Sequence, residues 1–266
     1  MAPRRPSTSR GLLERLRFQS HSGRLIRRHR ALRRLDFERA SIVHPVTLVA
    51  GSYALLLVAC APITAGWATT LRFWLPRLGL PDDIGVRERD VLGHVVYEVP
   101  FPLLQGALPD RSLLVTVGGS CLALMLLSWL LLRGRALPLA YLVWAGCVLE
   151  LASCAMLWLA PAEFPHTVAS HVANGLEFAL LLLLATPLLL TFSFYVFDHS
   201  ITRKAFGTAV IGAGIVLVAP YQYLVHTMLV EQLSLVVMPP LYVLFGLLFD
   251  IAVFVALYAW VVSWEP

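Results

Sequence analysis

Six long apolar runs constrain this chain more than any other feature of its sequence. They cover residues 46–68, 112–132, 138–160, 174–197, 207–230 and 233–262. At a rise of 1.5 Å per residue, about 20 helical residues cross the hydrocarbon layer of a bilayer. Hydrophobic residues make up 58% of the chain and charged residues only 14%, which is far more apolar than a soluble domain. The sequence therefore predicts an all-α polytopic membrane helix bundle with about six transmembrane helices.

Positive charge is concentrated ahead of the first apolar run. Twelve of the chain's 21 arginines and lysines are arginines within residues 1–43, and the whole chain has a net charge of only +5. We therefore predict a basic cytoplasmic N-terminal arm over residues 1–43 and a transmembrane domain over residues 44–266. Leucines alternate with the arginines, so the arm is either an amphipathic helix on anionic membrane lipid or a charged flank that only sets orientation. A basic arm on an apolar chain does not indicate nucleic-acid binding.

The loop charges predict how the bundle is oriented. One side receives the arm and the basic positions Arg133, Arg135, Arg203 and Lys204, whereas the loop of residues 69–111 has mixed charge. Positively charged loops stay in the cytoplasm, so we expect both termini there, with the protein in the inner (plasma) membrane. Residues 91–108 are apolar, but a full span there would move the basic loops outside. We therefore expect a re-entrant or interfacial segment.

This topology brings histidines to the extracytoplasmic side. His94 has Asp90 and Glu98 four residues away, and a helix would place all three on one face. Further candidates at a similar depth are His166, His171, Glu177, His226, Met228, Glu231 and Met238. Imidazole with thioether suits copper, and imidazole with carboxylate suits zinc or iron. The alternative interpretation is that these side chains are merely solvated at the membrane surface.

Two other groups of polar residues lie inside the apolar runs. The cysteines are Cys60, Cys121, Cys147 and Cys154, and none forms a CxxC pair; we interpret them as buried structural thiols. Glu150 and Asp250 are the deepest acids, and we expect them to pair with polar groups inside the bundle. The sequence contains no phosphate-binding loop, dinucleotide fingerprint, HExxH or GxSxG motif, so it does not predict an enzyme.

Four stretches resemble a known family. They are HPVTLVAGSY (44–53), DVLGHVVYEVPFPLLQGA (90–107), WLAPAEFPHTVASHVANGLEF (158–178) and VEQLSLVVMPP (230–240). They are similar to the first span and the three histidine- and methionine-bearing motifs of the CtaG family. The chain departs from that pattern at Asp90 and Gly175, where the family has histidines, and at Val230 and Pro239, where it has an acid and a tryptophan.

The resemblance implies a function. Members of the CtaG family are membrane assembly factors for haem–copper cytochrome c oxidase, associated with copper delivery. The implied metal ligands are His94, His166, His171, His226 and Met238, with Met228 a further possible thioether. Asp90, Glu177 and Glu231 are implied as groups that orient an imidazole, and oxidase subunits are the implied partners. Delivery requires two or three ligands that can release Cu(I), rather than a closed cage of four.

Two alternatives from other classes remain open at this stage. One is a non-catalytic scaffold of an envelope complex. The other is a membrane enzyme acting on a lipid or envelope precursor, with His94, Glu98 and Glu177 as acid–base groups.

Overall fold

The fold is a helical membrane bundle with one small hairpin. A computed structural model describes residues 39–91, 95–164, 166–195 and 201–263. Its elements are α1 (Arg39–Trp74), β1 (Ile84–Val91), β2 (Val95–Pro102), α2 (Arg111–Leu131), α3 (Leu137–Leu159), α4 (Val168–Tyr195), α5 (Ile201–Leu233), α6 (Met238–Tyr242), a π-helical turn (Val243–Leu247) and α7 (Leu248–Ser263). Residues 1–38 of the arm predicted over residues 1–43 lie outside the described residues.

The predicted number of spans is confirmed. Within the described residues, six segments are long and apolar enough to cross a membrane. They are Val46–Leu78, Arg111–Leu131, Leu137–Leu159, Pro161–Thr191, Ile201–Leu233 and Leu235–Ser263. The last one is interrupted: Pro239 and Pro240 lie in the short helix α6, and a π-helical turn follows it.

Residues 84–102 form a β-hairpin, so the helix considered for residues 90–98 does not form. β1 and β2 pair antiparallel, with Arg87 opposite Val99 and Arg89 opposite Tyr97. Val95, Tyr97, Val99 and Phe101 place β-branched and aromatic side chains at alternate positions, which favours a strand, and Pro100 opposes a helix. In this register Glu88 is opposite Glu98 and Asp90 is opposite Val96. Asp90 and Glu98 therefore do not share a helix face.

Helix α4 lies at the centre of the bundle. It packs against α1, α5 and β2, and residues along its length, including Val172, Leu176, Leu180 and Leu190, are fully buried. Half of the most apolar stretch of the span that contains α4 is buried inside the protein, against 17% of the corresponding stretch of α2. Helix α2 instead pairs with α3, where the Trp144 indole N–H donates to Ser128 Oγ at 2.8 Å. The central helix therefore positions the residues described next.

Helices α1 and α5 are joined by a hydrogen bond that a proline makes possible. Pro220 lies inside α5 and has no N–H, so the carbonyl of Val216, four residues earlier, loses its partner within the helix. The indole N–H of Trp67 in α1 donates to this carbonyl at 2.8 Å. Trp67 is only 2% exposed, so the bond forms inside the protein.

Candidate functional site

Three of the family-like stretches meet at one end of the bundle. The loop after β2 is held by two backbone hydrogen bonds, from Ala169 N to Leu104 O at 3.2 Å and from Leu235 N to Ala107 O at 3.1 Å. Between them, Gly106 has a φ of +80°, and a Cβ there would lie 2.6 Å from Leu235 Cδ2. Only glycine satisfies both the backbone and the packing at this position. The loop thus connects the start of α4 to the turn before α6.

Two of the predicted histidines contact each other at this end. His171, near the start of α4, and His226, in the last third of α5, place Nε2 and Nδ1 3.1 Å apart. The side chains are 2% and 3% exposed. Because both are neutral hydrogen-bonding rings at this separation, one must donate and the other accept. The other ring nitrogen of His171, Nδ1, is buried and has no hydrogen-bond partner.

Aromatic rings surround the histidine pair. The ring of His171 lies 6.0 Å from that of Tyr223 and 5.7 Å from that of Tyr242, between centroids and in edge-on geometry. Tyr223 also lies 5.2 Å from His226. Tyr223 itself fits because Gly175 has no side chain. A Cβ on Gly175 would lie 2.0 Å from Tyr223 Cε1.

A second polar group lies beside the first. The hydroxyl of Tyr223 donates to Asp250 Oδ2 of α7 at 3.1 Å, and Asp250 is buried. Gln222 Nε2 donates to the carbonyl of Phe245 at 2.8 Å, within the π-helical turn. Such turns detach carbonyls from the helical ladder and occur often at functional sites. The pairing of Asp250 with Tyr223 confirms the prediction for Asp250, but the same prediction is wrong for Glu150, whose two buried carboxyl oxygens have no hydrogen-bond partner among the described residues.

The hairpin is attached to α4 by two arginines of β1. Arg89 Nε lies 2.9 Å from Glu177 Oε1, and Arg87 Nη1 donates to Asn174 Oδ1 at 2.7 Å. On the facing strand, Tyr97 is buried. Burial, followed by the nearby Glu177 carboxylate, raises the pKa of the Tyr97 phenol above its usual value, against the opposing effect of Arg89. The Glu177 carboxylate is thus paired with the two arginines of β1.

None of the remaining predicted site residues is among the described hydrogen-bond or ring partners of the pair. His94 is outside the described residues, and Asp90 is described only as a position in β1. His166 is exposed, with its ring 5.7 Å from that of Phe164. Glu231 is exposed at the end of α5, whereas Met238 is buried at the start of α6. Met228 is partly buried.

The sequence did not lead us to Tyr223, Tyr242 or the role of Gly175. One pattern could have identified the first: Tyr223, His226, Thr227 and Val230 follow the spacing of one helix face, and all are buried. Gly175 was interpreted as the loss of a histidine, whereas the structure gives it a packing role against Tyr223.

Comparison of the chain with protein-family models, curated proteins and solved structures gives no match. Among the described residues, no three His, Cys, Asp or Glu side chains form a group that could hold a metal ion. The donors that do converge are the two imidazoles. A cation between their facing nitrogens would take the place of the shared hydrogen, and each ring would then carry its N–H on the far nitrogen.

Proposed function

We propose that this protein is a membrane assembly factor for haem–copper cytochrome c oxidase that handles copper at the extracytoplasmic end of its bundle, in the inner (plasma) membrane and with both termini in the cytoplasm. The contact between His171 and His226 is the observation that carries the proposal. The two nitrogens are 3.1 Å apart, and imidazole nitrogens that share a first-row metal at about 2.0–2.1 Å from each of them lie roughly 3–4 Å from one another.

The surroundings of the pair support cargo binding rather than permanent retention. Two neutral imidazoles in a buried, aromatic pocket can bind a monovalent cation, and the complex then places only one positive charge in the membrane interior. Met238 is buried. In the sequence it directly follows the turn whose Leu235 bonds the loop after β2. A set of two or three such ligands leaves coordination positions open for transfer to the next protein.

The test is copper binding by the full-length protein, purified in detergent without oxygen. We expect His171→Gln and His226→Gln each to weaken Cu(I) binding at this site at least about 10–100-fold, the loss that follows removal of even a supporting partner of a ligand. Glutamine keeps polarity and approximate volume, so thermal unfolding should change little. Tyr141→Phe is the control, because that side chain is exposed on α3 and is not among the residues predicted for the site.

The measurement is metal content together with competition against a chromogenic Cu(I) chelator. In cells, oxidase maturation should fall with the same two variants and not with the control. Unchanged copper affinity in His171→Gln and His226→Gln would contradict the proposal. So would a copper-free protein that co-purifies with oxidase subunits, which indicates a scaffold, or turnover of a lipid precursor, which indicates an enzyme.

A further inference from the structure

An apolar groove lies between α1, α4 and α5, and neither histidine of the pair lines it. Its volume is about 590 Å³, within the usual range for ligand pockets, roughly 300–1,000 Å³. Along α1 it extends from Thr47 to Ile63, and along α5 from Ile201 to Val216. At 1.5 Å per residue these stretches are about 22–24 Å long, whereas one leaflet supplies only about 15 Å of hydrocarbon. The groove is therefore long enough to hold a complete acyl chain.

Small side chains keep this groove open. Its glycine and alanine residues on two facing helices are Gly51 and Ala59 of α1 and Ala205, Ala209, Gly212 and Ala213 of α5. At Gly51 an added Cβ would have nothing within 4 Å, so no side chain of α5 fills the space there. Ala209 and Ala213 are exposed, and both belong to a membrane span. The groove therefore opens sideways, towards lipid.

The wall of the groove is suited to hydrocarbon rather than to a polar ligand. Three threonines line it, Thr47, Thr186 and Thr208. Each hydroxyl donates to the carbonyl four residues earlier in its own helix, at 2.9, 2.8 and 2.9 Å respectively. A hydroxyl has only one hydrogen to donate, so none of the three has a donor left for a ligand. The part of a ligand that lies in the groove is therefore an alkyl chain.

One end of the groove is basic. Arg203 and Lys204 lie in the first turn of α5, between the lining residues Ile201 and Ala205. The same turn contains no acidic residue. Basic positions at the ends of transmembrane helices attract anionic lipid headgroups. A ligand that matches both the apolar wall and the basic end has a negative group joined to a long alkyl chain.

We infer that the groove binds one anionic phospholipid, with an acyl chain between α1 and α5 and its phosphate at Arg203 and Lys204. The chain leaves one apolar medium for another on entering the groove, so the hydrophobic effect contributes little. Selectivity therefore comes from the headgroup, since each basic residue near it favours an anionic lipid about fivefold. The lipid site does not depend on the proposed copper site.

The first test measures headgroup preference in the full-length protein, freed of lipid in detergent. Dioleoyl phosphatidylglycerol and dioleoyl phosphatidylcholine have the same acyl chains, and native mass spectrometry counts the lipids bound at each concentration. We expect the first phosphatidylglycerol to bind at least about tenfold more tightly than phosphatidylcholine. In the double variant Arg203→Gln, Lys204→Gln the two lipids should bind within about threefold of each other. Arg133→Gln is the matched control, because Arg133 lies between α2 and α3, and it should keep the preference.

The second test fills the groove. Gly51→Leu places an apolar side chain where a Cβ meets nothing within 4 Å, and Ala209→Leu does so from the facing helix. We expect each to weaken the first phosphatidylglycerol at least about tenfold, because the acyl chain and the new side chain compete for one space. Gly119→Leu is the matched control, because a Cβ there also meets nothing within 4 Å but the residue lies on α2. It should bind lipid as the parent does.

Three results would overturn the inference. Equal affinity for the two lipids in the parent protein would show that the basic end does not select a headgroup. A groove filled by Gly51→Leu and Ala209→Leu that still binds phosphatidylglycerol as the parent does would place the lipid elsewhere. A dimer that Gly51→Leu separates into monomers would show that a second copy of this chain occupies the groove. Thermal unfolding of each variant without added lipid identifies any that fails to fold.

Discussion

At the residue scale, the site depends on the absence of a side chain at Gly175. Gly175 lies on the central helix where the family-like pattern has a histidine, and Tyr223 occupies the space that a side chain would need. The tyrosine ring then contacts both His171 and His226 and bonds Asp250. The glycine therefore fixes the position of the aromatic ring around which the polar residues are arranged.

Gly175→Ala should strongly destabilise the protein. The new Cβ would lie 2.0 Å from Tyr223 Cε1, and Tyr223 is 1% exposed, so the ring has little room to move. We expect the free energy of unfolding to fall by at least about 3 kcal/mol, the upper end of typical overpacking costs. Denaturant unfolding in detergent measures it.

Gly119→Ala is the control for that experiment. Gly119 lies inside α2, and nothing lies within 4 Å of a Cβ added there. We expect this substitution to stabilise the protein by about 0.5–1 kcal/mol, because alanine is the better helix former. Equal effects of the two substitutions would show that Gly175 has no special packing role.

Some features of the site could be predicted from the sequence, and others could not. Charge and span order placed His171 and His226 at one end of the bundle, because alternating spans return to the same side of the membrane. Their contact at 3.1 Å depends on helix rotation, which apolar runs do not specify. The Tyr223–Asp250 bond joins residues 27 positions apart on different helices, so no local spacing predicts it.

At the scale of elements, α5 shows how a proline in one helix is compensated by another. A free carbonyl inside a membrane protein is costly, since no water is present to bond it. Trp67 of α1 supplies the missing donor to Val216. The carbonyl of Val216, which would otherwise bond within α5, therefore joins α5 to α1.

This arrangement predicts a strong coupling between Trp67 and Pro220. Trp67→Phe should cost about 1–3 kcal/mol, because it leaves a buried carbonyl unpaired. Pro220→Ala restores an N–H at that position, so the cost of Trp67→Phe should fall below about 1 kcal/mol in that background. A double-mutant cycle of unfolding free energies measures the coupling, and additive effects would contradict the proposed compensation.

The hairpin is the element that the sequence did not predict. Residues 91–108 lie among long helical runs and are apolar enough to resemble a membrane segment. The alternating Val95, Tyr97, Val99 and Phe101 favour a strand and the two prolines of β2 oppose a helix, but β2 also packs against α1 and α4, which are distant in the sequence. The six helices were predictable because each depends on its own composition.

At the scale of the whole molecule, topology decides which features face the same compartment. The hairpin, the start of α4 and the turn before α6 lie at one end of the bundle. Arg133 lies at the other end, between α2 and α3. If the basic end is cytoplasmic, as the positive-inside rule predicts, the histidine pair faces outward.

We therefore predict the outcome of cysteine labelling in intact cells with an impermeant reagent. Glu163→Cys should react from outside and Arg133→Cys should not, because both positions are exposed but lie at opposite ends. The four native cysteines are buried, so the parent protein should stay unlabelled. Reaction at position 133 from outside would place the histidines in the cytoplasm and exclude the proposed copper handling.

The backbone bonds that hold residues 104–107 also set an order of events during synthesis. Leu104 and Ala107 are translated well before one of their partners, Leu235. Proteins begin to fold from the N-terminus as the chain emerges, so the loop must wait for this partner. A ribosome that stalls before residue 234 would leave both histidines already made beside a loop that only Ala169 holds. The last backbone bond of the site therefore forms only after both histidines have been synthesised.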